Sequence, residues 1–193
     1  MVGMIVDISH VSDKTFYDAV AVSTKPVIAS HSSCRSLSDV PRNMTDAMLR
    51  ALAKNGGVVG VNFAASFLNQ QDADELKKKV SSESEVAPNE TGAALDQLAA
   101  KEYFDDKHDY QVGHATVEDA AACIDHIVKV AGIDHVGIGS DFDGISLVPR
   151  DLEDVSKMPN LTAALLKRGY SEKDARKIMG ENFFRVIRQV VGD

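Results

Sequence analysis

Two histidines set 21 residues apart, each closing an apolar run, constrain this chain more than any other feature. Residues 4–33 read MIVDISHVS, then a mixed polar and apolar stretch, then PVIASHSS. Runs rich in Val and Ile fit strands buried on both faces, as in a parallel sheet covered by helices. Between them Phe16, Ala19 and Val20 recur at helical spacing, so the unit reads β-α-β. Such a crossover makes the two strands parallel, which brings His10 and His31 out side by side at the carboxyl end. Proteins of the α/β class build their sites there. Imidazole is the commonest metal-binding side chain, and the repeated placement favours a ligand pair over two unrelated loop contacts.

The same alternation continues along the chain. Thr45 is placed to cap a helix whose Met48, Leu49 and Leu52 share one face, and Asn55-Gly56-Gly57 ends it. The run GVVGVNF then gives a third strand, closing at Asn62 and Phe63. Residues 64–115 break the rhythm and read as a long polar insertion with helical patches, anchored by Leu95, Leu98, Tyr103 and Phe104. Segments of this kind sit over the site end as a lid or an oligomer contact. From Thr116 a capped helix carries Val117, Ala120, Ile124, Ile127 and Ala131 on one face, and His126 within it reads as structural. HVGIGSDFDG is a fourth strand, with Ser140, Asp141 and Asp143 at the histidine end and Gly144 permitting a tight backbone. Helices over 161–167, 174–179 and 183–191 complete the chain.

A chain of 193 residues, 44% hydrophobic and 26% charged, supports a single domain with a packed core. Its net charge of −8 argues against nucleic acid as a partner, since phosphates demand clustered Lys and Arg. No apolar run approaches the roughly 20 residues of a membrane span, and no signal peptide is read at the N-terminus. Cys34 and Cys123 lack CxxC spacing, so neither a disulfide framework nor a zinc ribbon is expected, and a reducing cytoplasm is the expected location. Nothing matches a P-loop, a GxGxxG turn or a GxSxG elbow.

Two imidazoles and a carboxylate converging on one end of a parallel sheet suit a borderline metal such as zinc. The metal lowers the pKa of bound water toward neutrality, and Asp141 is placed to ligate, to act as general base, or both.

The ordered segments DISHVS, PVIASHSSCRS, DVPRN, VVGVNF, HIVKVAG and VGIGSDFDG resemble the C-terminal half of the membrane dipeptidases, the renal dipeptidase family. LEDVSKMPNLTAALLKRGYSE and GENFFRV extend the likeness to the C-terminus, and 64–111 is its weakest part. The resemblance implies an α/β fold that is the C-terminal half of a (β/α)8 barrel: four parallel strands, flanking helices and the 64–115 insertion. Residues 1–193 then form one incomplete metallopeptidase barrel domain. It implies hydrolysis of dipeptides at a two-zinc centre, with His10 and His31 on one zinc. The resemblance further implies that Asp141 ligates the other zinc and handles the proton, and that Arg42 lies near the substrate carboxylate, which a planar guanidinium receives well. The family's His-x-Asp motif and bridging glutamate are absent, so a weak or inactive fragment is expected. Its expected partners are an N-terminal half or a second copy joined through exposed strand edges. Two other readings stay open: a catalytically dead half-barrel serving as a binding or assembly module, and a flavodoxin-like domain holding one divalent cation at Asp141 and Asp143.

Overall fold

The computed structural model describes residues 3–83 and 111–192. Its strands are Ile28–Ser32 (β1), Val58–Val61 (β2), Gln111–Thr116 (β3), Val136–Ile138 (β4) and Leu147–Arg150 (β5). β1, β2 and β4 form a parallel sheet in that order, with Ile28 opposite Val58 and Val59 opposite Val136. The first expected strand is present only as an edge strip. Asp7 bridges Ile28 in the parallel sense, the Ile8 amide donates to Ile28 O at 2.8 Å, and the Ile28 amide donates to Val6 O at 2.9 Å. Direction and position agree with the β-α-β reading, but the pairing stops after one bridge. Met4 and Val6 are 75% and 44% exposed, so little apolar burial reinforces the outer residues of this strip.

The helices follow their local signals closely. Asp13–Val22 (α1) starts at Ser12, whose hydroxyl accepts the Thr15 amide. Asp46–Asn55 (α2) is capped by Thr45 and ends at Gly56 in the left-handed conformation, φ 85°. Val117–Ala131 (α5) opens with a reciprocal Thr116–Asp119 capping box. Between β2 and β3 lie Ala65–Leu68 (α3) and Gln70–Glu83 (α4), and Ala65, Phe67 and Leu68 are buried. The expected anchors Leu95, Leu98, Tyr103 and Phe104 lie outside the described residues.

Met158–Lys167 (α6), Glu172–Arg176 (α7) and Asn182–Val191 (α8) complete the chain, with a π-turn over Lys177–Glu181 joining the last two. Asn182 docks this end, donating from Nδ2 to the Ile133 and Val136 carbonyls at 2.8 and 2.7 Å. Phe16, Leu49, Leu52, Val59, Ile124, Ile127, Leu161 and Leu165 form one fully buried core between helices and sheet. Each such side chain contributes about 1.5–3 kcal/mol by leaving water.

A second sheet was not expected. β3 and β5 pair in parallel, Val112 opposite Val148, away from the main sheet. Among the described residues no helix is long and apolar enough to cross a membrane.

Candidate metal centre

The carboxyl ends of the strands gather the four residues singled out in the sequence. His10 follows the edge strip, His31 lies in β1, and Asp141 follows β4. The two imidazoles meet edge to face, with centroids 4.8 Å apart and Nε2 to Nε2 at 2.6 Å. β1 and β4 are not neighbours, since β2 lies between them. The sheet nevertheless curls enough for the β4 tip to reach β1. A Cβ at Gly139 would collide with the Ser30 carbonyl oxygen and stand 3.0 Å from the His31 Cα. Only glycine permits that approach.

His31 is half-buried and its pKa is lowered. Burial is the largest cause, and His10 and Arg42 add to it, against the opposing carboxylates Asp141 and Asp7. The neutral imidazole that results is the metal-binding form. Nδ1 of His31 lies 2.7 Å from Ser30 Oγ, and Ser30 Oγ donates to Asp7 Oδ2 at 2.5 Å. Burial opposes ionisation of Asp7. Hydrogen bonds from the side chains and amides of Ser30 and Ser9 more than offset it, holding the carboxyl below its ordinary range.

Asp141 adopts a left-handed conformation, φ 62° and ψ 31°, which aspartate tolerates better than most residues. Its Oδ2 accepts Nδ2 of Asn62 at 3.0 Å, and its carbonyl accepts the Gly144 amide at 2.9 Å. Phe63 N–H donates to Ser140 O at 3.1 Å, tying the β2 and β4 tips together. Phe63 and Phe142 stack edge to face below them, centroids 5.6 Å apart.

Arg42 reaches the same place from the loop after β1. Its Nε donates to Ser9 O at 3.0 Å, and its guanidinium carbon lies 5.7 Å from the Phe67 ring centroid. Buried Asn43 shapes that loop. Its Oδ1 accepts the Ser33 amide at 3.1 Å, while Nδ2 donates to Ser38 O and Phe67 O, both at 2.9 Å. His126, expected to be structural, bonds Asp46 Oδ1 at 2.7 Å and Ser36 Oγ at 3.0 Å, joining α5 to α2.

Sequence reasoning assigned no role to Asp7, Ser30 or Asn62. The doublet of serine before histidine, in ISH and ASH, was the available signal for Ser30. A second cluster was also unforeseen: ligand atoms of Asp72, Glu75 and His114 lie within 4.8 Å of one another, so these groups have the reach to share a cation. Its buried member is already engaged, since the Asp72 oxygens accept the His114 and Ala115 amides at 2.9 and 2.8 Å. Asp72 thereby closes the irregular part of the β3–β5 ladder between Val112 and Thr116.

Comparison with known proteins gives the family. The chain matches the membrane dipeptidase family, peptidase family M19, over residues 1–192. It is 39% identical to an uncharacterized dipeptidase of Schizosaccharomyces pombe over 188 residues, covering 97% of this chain and 36% of that protein. The chain thus spans about a third of the length of that curated relative. Among solved structures it resembles the probable dipeptidase PvdM of Pseudomonas aeruginosa, with TM-score 0.76 and 29% identity over 98% of this chain and 51% of that one. It also resembles a metallopeptidase of Rhodobacter sphaeroides bound to a phosphinate mimic of the dipeptide L-Ala-D-Ala, with TM-score 0.72 and 29% identity. That match covers 97% of this chain and 43% of the other. The family is one of metallopeptidases, which implies a metal cofactor. With a family match spanning nearly every residue and the paired histidines at the strand tips, this chain belongs to the membrane dipeptidase family, peptidase family M19.

Proposed function

We propose that the chain supplies the C-terminal part of a zinc-dependent dipeptidase centre, its parallel segments forming the second half of a (β/α)8 barrel. The convergence of His10 and His31, Nε2 to Nε2 at 2.6 Å, carries this reading. Two imidazole nitrogens on one tetrahedral zinc stand about 3.3 Å apart, so a shift of several tenths of an ångström admits the ion between them. The donor set fits as well. Two imidazoles and a carboxylate suit zinc, and the second nitrogen of His31 is held by a neighbouring hydroxyl as in other metal-bound histidines.

Zinc at such a centre supplies Lewis acidity and lowers the pKa of water. His10 and His31 would hold one ion, and Asp141 would hold a second and be placed to accept a proton from water, with the Asn62 amide orienting its carboxylate. Arg42, anchored through Nε on Ser9 O, presents its guanidinium to the free carboxylate of the dipeptide. A dipeptide substrate is supported by the Rhodobacter sphaeroides relative, which binds a dipeptide mimic. The resemblance also implies a His-x-Asp motif and a bridging glutamate that these residues do not include. The chain as given is therefore proposed to be weakly active alone and to complete its centre with a family-type N-terminal half. Segment 64–115 is proposed as an insertion between the third and fourth strand units.

The test is zinc titration of the chain and of His10→Ala and His31→Ala, followed by dipeptide hydrolysis with the N-terminal half supplied in trans. Zinc binding weakened by both substitutions, and turnover that appears only on mixing, are expected. Equal zinc affinity in all three proteins would sink the ligand assignment. Zinc binding without turnover on mixing would favour a binding or assembly module.

A further inference from the structure

Ser30 stands between the Asp7 carboxylate and the His31 imidazole, and its hydroxyl has one hydrogen to give. We infer that Asp7, acting through Ser30, locks His31 in the tautomer protonated at Nδ1 and so keeps Nε2 as an electron-pair donor. The inference rests on the reading of His31 as a metal ligand. It makes Asp7 and Ser30 positioning residues for that ligand.

The argument follows the hydrogens. An ionised carboxylate only accepts, and Asp7 is fully engaged as an acceptor. Its Oδ1 takes the Ser9 amide at 3.1 Å, the Ser9 hydroxyl at 3.0 Å and the Ser30 amide at 3.0 Å. Its Oδ2 takes the Ser30 hydroxyl at 2.5 Å, the length of a charge-assisted bond. The Ser30 hydrogen is thereby committed to Asp7. Turning it toward His31 would leave two oxygen lone pairs facing each other at that separation. Ser30 Oγ also lies 3.2 Å from Ser9 Oγ, whose own hydrogen goes to Asp7 Oδ1, so the contact of Ser30 Oγ with His31 Nδ1 at 2.7 Å needs its hydrogen from the ring, and Nδ1 carries the proton. Nε2 is left bare and aimed at His10 Nε2, 2.6 Å away.

Ser9 extends the same logic to the backbone. Its hydroxyl accepts the His31 amide at 3.0 Å while donating to Asp7 Oδ1. One carboxylate on the edge strip therefore fixes both the main chain and the ring hydrogen of a histidine on β1. Position and protonation are set together, which is how outer groups tune metal-binding imidazoles.

Asp7→Asn separates this role from a purely structural one. The asparagine oxygen can keep the two backbone amides, which puts the NH2 group where Oδ2 stood, donating to Ser30 Oγ. The Ser30 hydroxyl must then turn toward His31 Nδ1, and the imidazole carries its hydrogen on Nε2 instead. Shape is preserved and the tautomer is inverted.

The experiment uses the whole chain, metal-free and labelled at the histidine nitrogens, with NMR reading the tautomer of His31. Wild type is expected as Nδ1–H, Asp7→Asn as Nε2–H, and Ser30→Ala as a mixture. Zinc affinity, read by competition with a chelator, is expected to fall about 10–100-fold in Asp7→Asn and Ser30→Ala, and Ser30→Thr should restore it. A wild-type His31 protonated at Nε2 overturns the inference, and so does a tautomer unchanged in Asp7→Asn. Should Asp7→Asn not fold, the Ser30→Ala and Ser30→Thr pair decides by the same two readouts. The two readings fail separately. Zinc affinity untouched by His31→Ala removes the metal role, whereas the tautomer in metal-free protein tests the relay alone.

Discussion

Asn62 donates from Nδ2 to Asp141 Oδ2 at 3.0 Å while its own Oδ1 accepts the Ala64 amide at 2.6 Å. The amide cannot flip without losing both bonds, so the end of β2 dictates where the carboxylate beyond β4 points. Asn62 is 1% exposed, which makes the pairing stiff as well as oriented. The Asn62 bond engages Oδ2 of that carboxylate, not Oδ1.

Asn62→Ala should therefore fail in two ways. The Ala64 amide is left without its acceptor in a buried place, at a cost of about 1–3 kcal/mol. Asp141 loses its orienting donor, so binding of the metal proposed for it should weaken even where the protein is folded. Urea unfolding measures the first effect and chelator competition the second. Weakened stability with unaltered metal affinity would show that Asn62 supports the fold alone.

Gly144→Ala isolates the geometry of Asp141 from the stability of the domain. A Cβ at Gly144 would stand 2.5 Å from Asp141 Oδ1, so the carboxylate must move. Gly144 is exposed and absent from the residues of positive φ, so alanine suits its backbone. The unfolding free energy is expected to change by less than about 1 kcal/mol, as for most surface substitutions. Metal affinity and turnover of the reconstituted enzyme should fall at least several-fold.

Asn43→Ala tests the loop that delivers Arg42. Its amide oxygen and nitrogen join the Ser33 amide to the Ser38 and Phe67 carbonyls in a buried setting. Removing it strands several polar groups at once, and a loss on the order of 3 kcal/mol in urea unfolding is expected. A loss within experimental error would mean that water replaces these bonds.

The sequence made the backbone of this site legible because parallel crossovers obey strict rules. Two histidines closing apolar runs on either side of one helix had to emerge together, and His10 and His31 do. The starts of α2 and α5 were equally visible, since Thr45 and Thr116 are local signals that packing did not override. The β3–β5 pair was not visible. QVGHAT shows no clear alternation, LVPR contains a proline, and their partnership joins residues such as Val112 and Val148 across a long stretch of chain. Asp7, Ser30 and Asn62 were hidden for another reason. A serine or asparagine acquires its role only from the atoms that topology brings within 3 Å or so, and spacing along the chain does not encode that. Cys34 and Cys123 are the same case, 89 residues apart in sequence with sulfurs 2.8 Å apart in the core.

Those two thiols should be chemically quiet. The hydrogen bond with Cys123 and the burial of Cys34 both raise the Cys34 pKa far above that of an ordinary thiol. The thiolate is the reactive form, so modification by an aromatic disulfide reagent at about pH 8 should be slow in native protein and fast in urea. Rapid native labelling of either cysteine would mean that the α5 contact opens readily.

The last expectation concerns acid. Arg35 grips Asp13 through two bonds of 2.8 Å, NH1 to Oδ2 and NH2 to Oδ1, while its remaining donors hold the Asn43 and Pro41 carbonyls. The hydrogen bond from Arg35 is the main cause of a lowered Asp13 pKa, opposed by burial and aided by the charge of Arg35. A carboxyl with a folded pKa below its unfolded value of about 4 binds more protons unfolded than folded across the interval between them. Stability therefore rises with pH through that interval. The contribution is complete above the unfolded pKa and is lost as pH falls through the folded one. Asp13 is half exposed, so solvent screening limits the contribution to about 0.5–1 kcal/mol. Unfolding measured from about pH 7 down to pH 3 should show wild type exceeding Asp13→Asn by a constant margin that shrinks below about pH 4. A margin that instead grows as the solution is acidified would reverse the sign and remove the Arg35 pairing as its source.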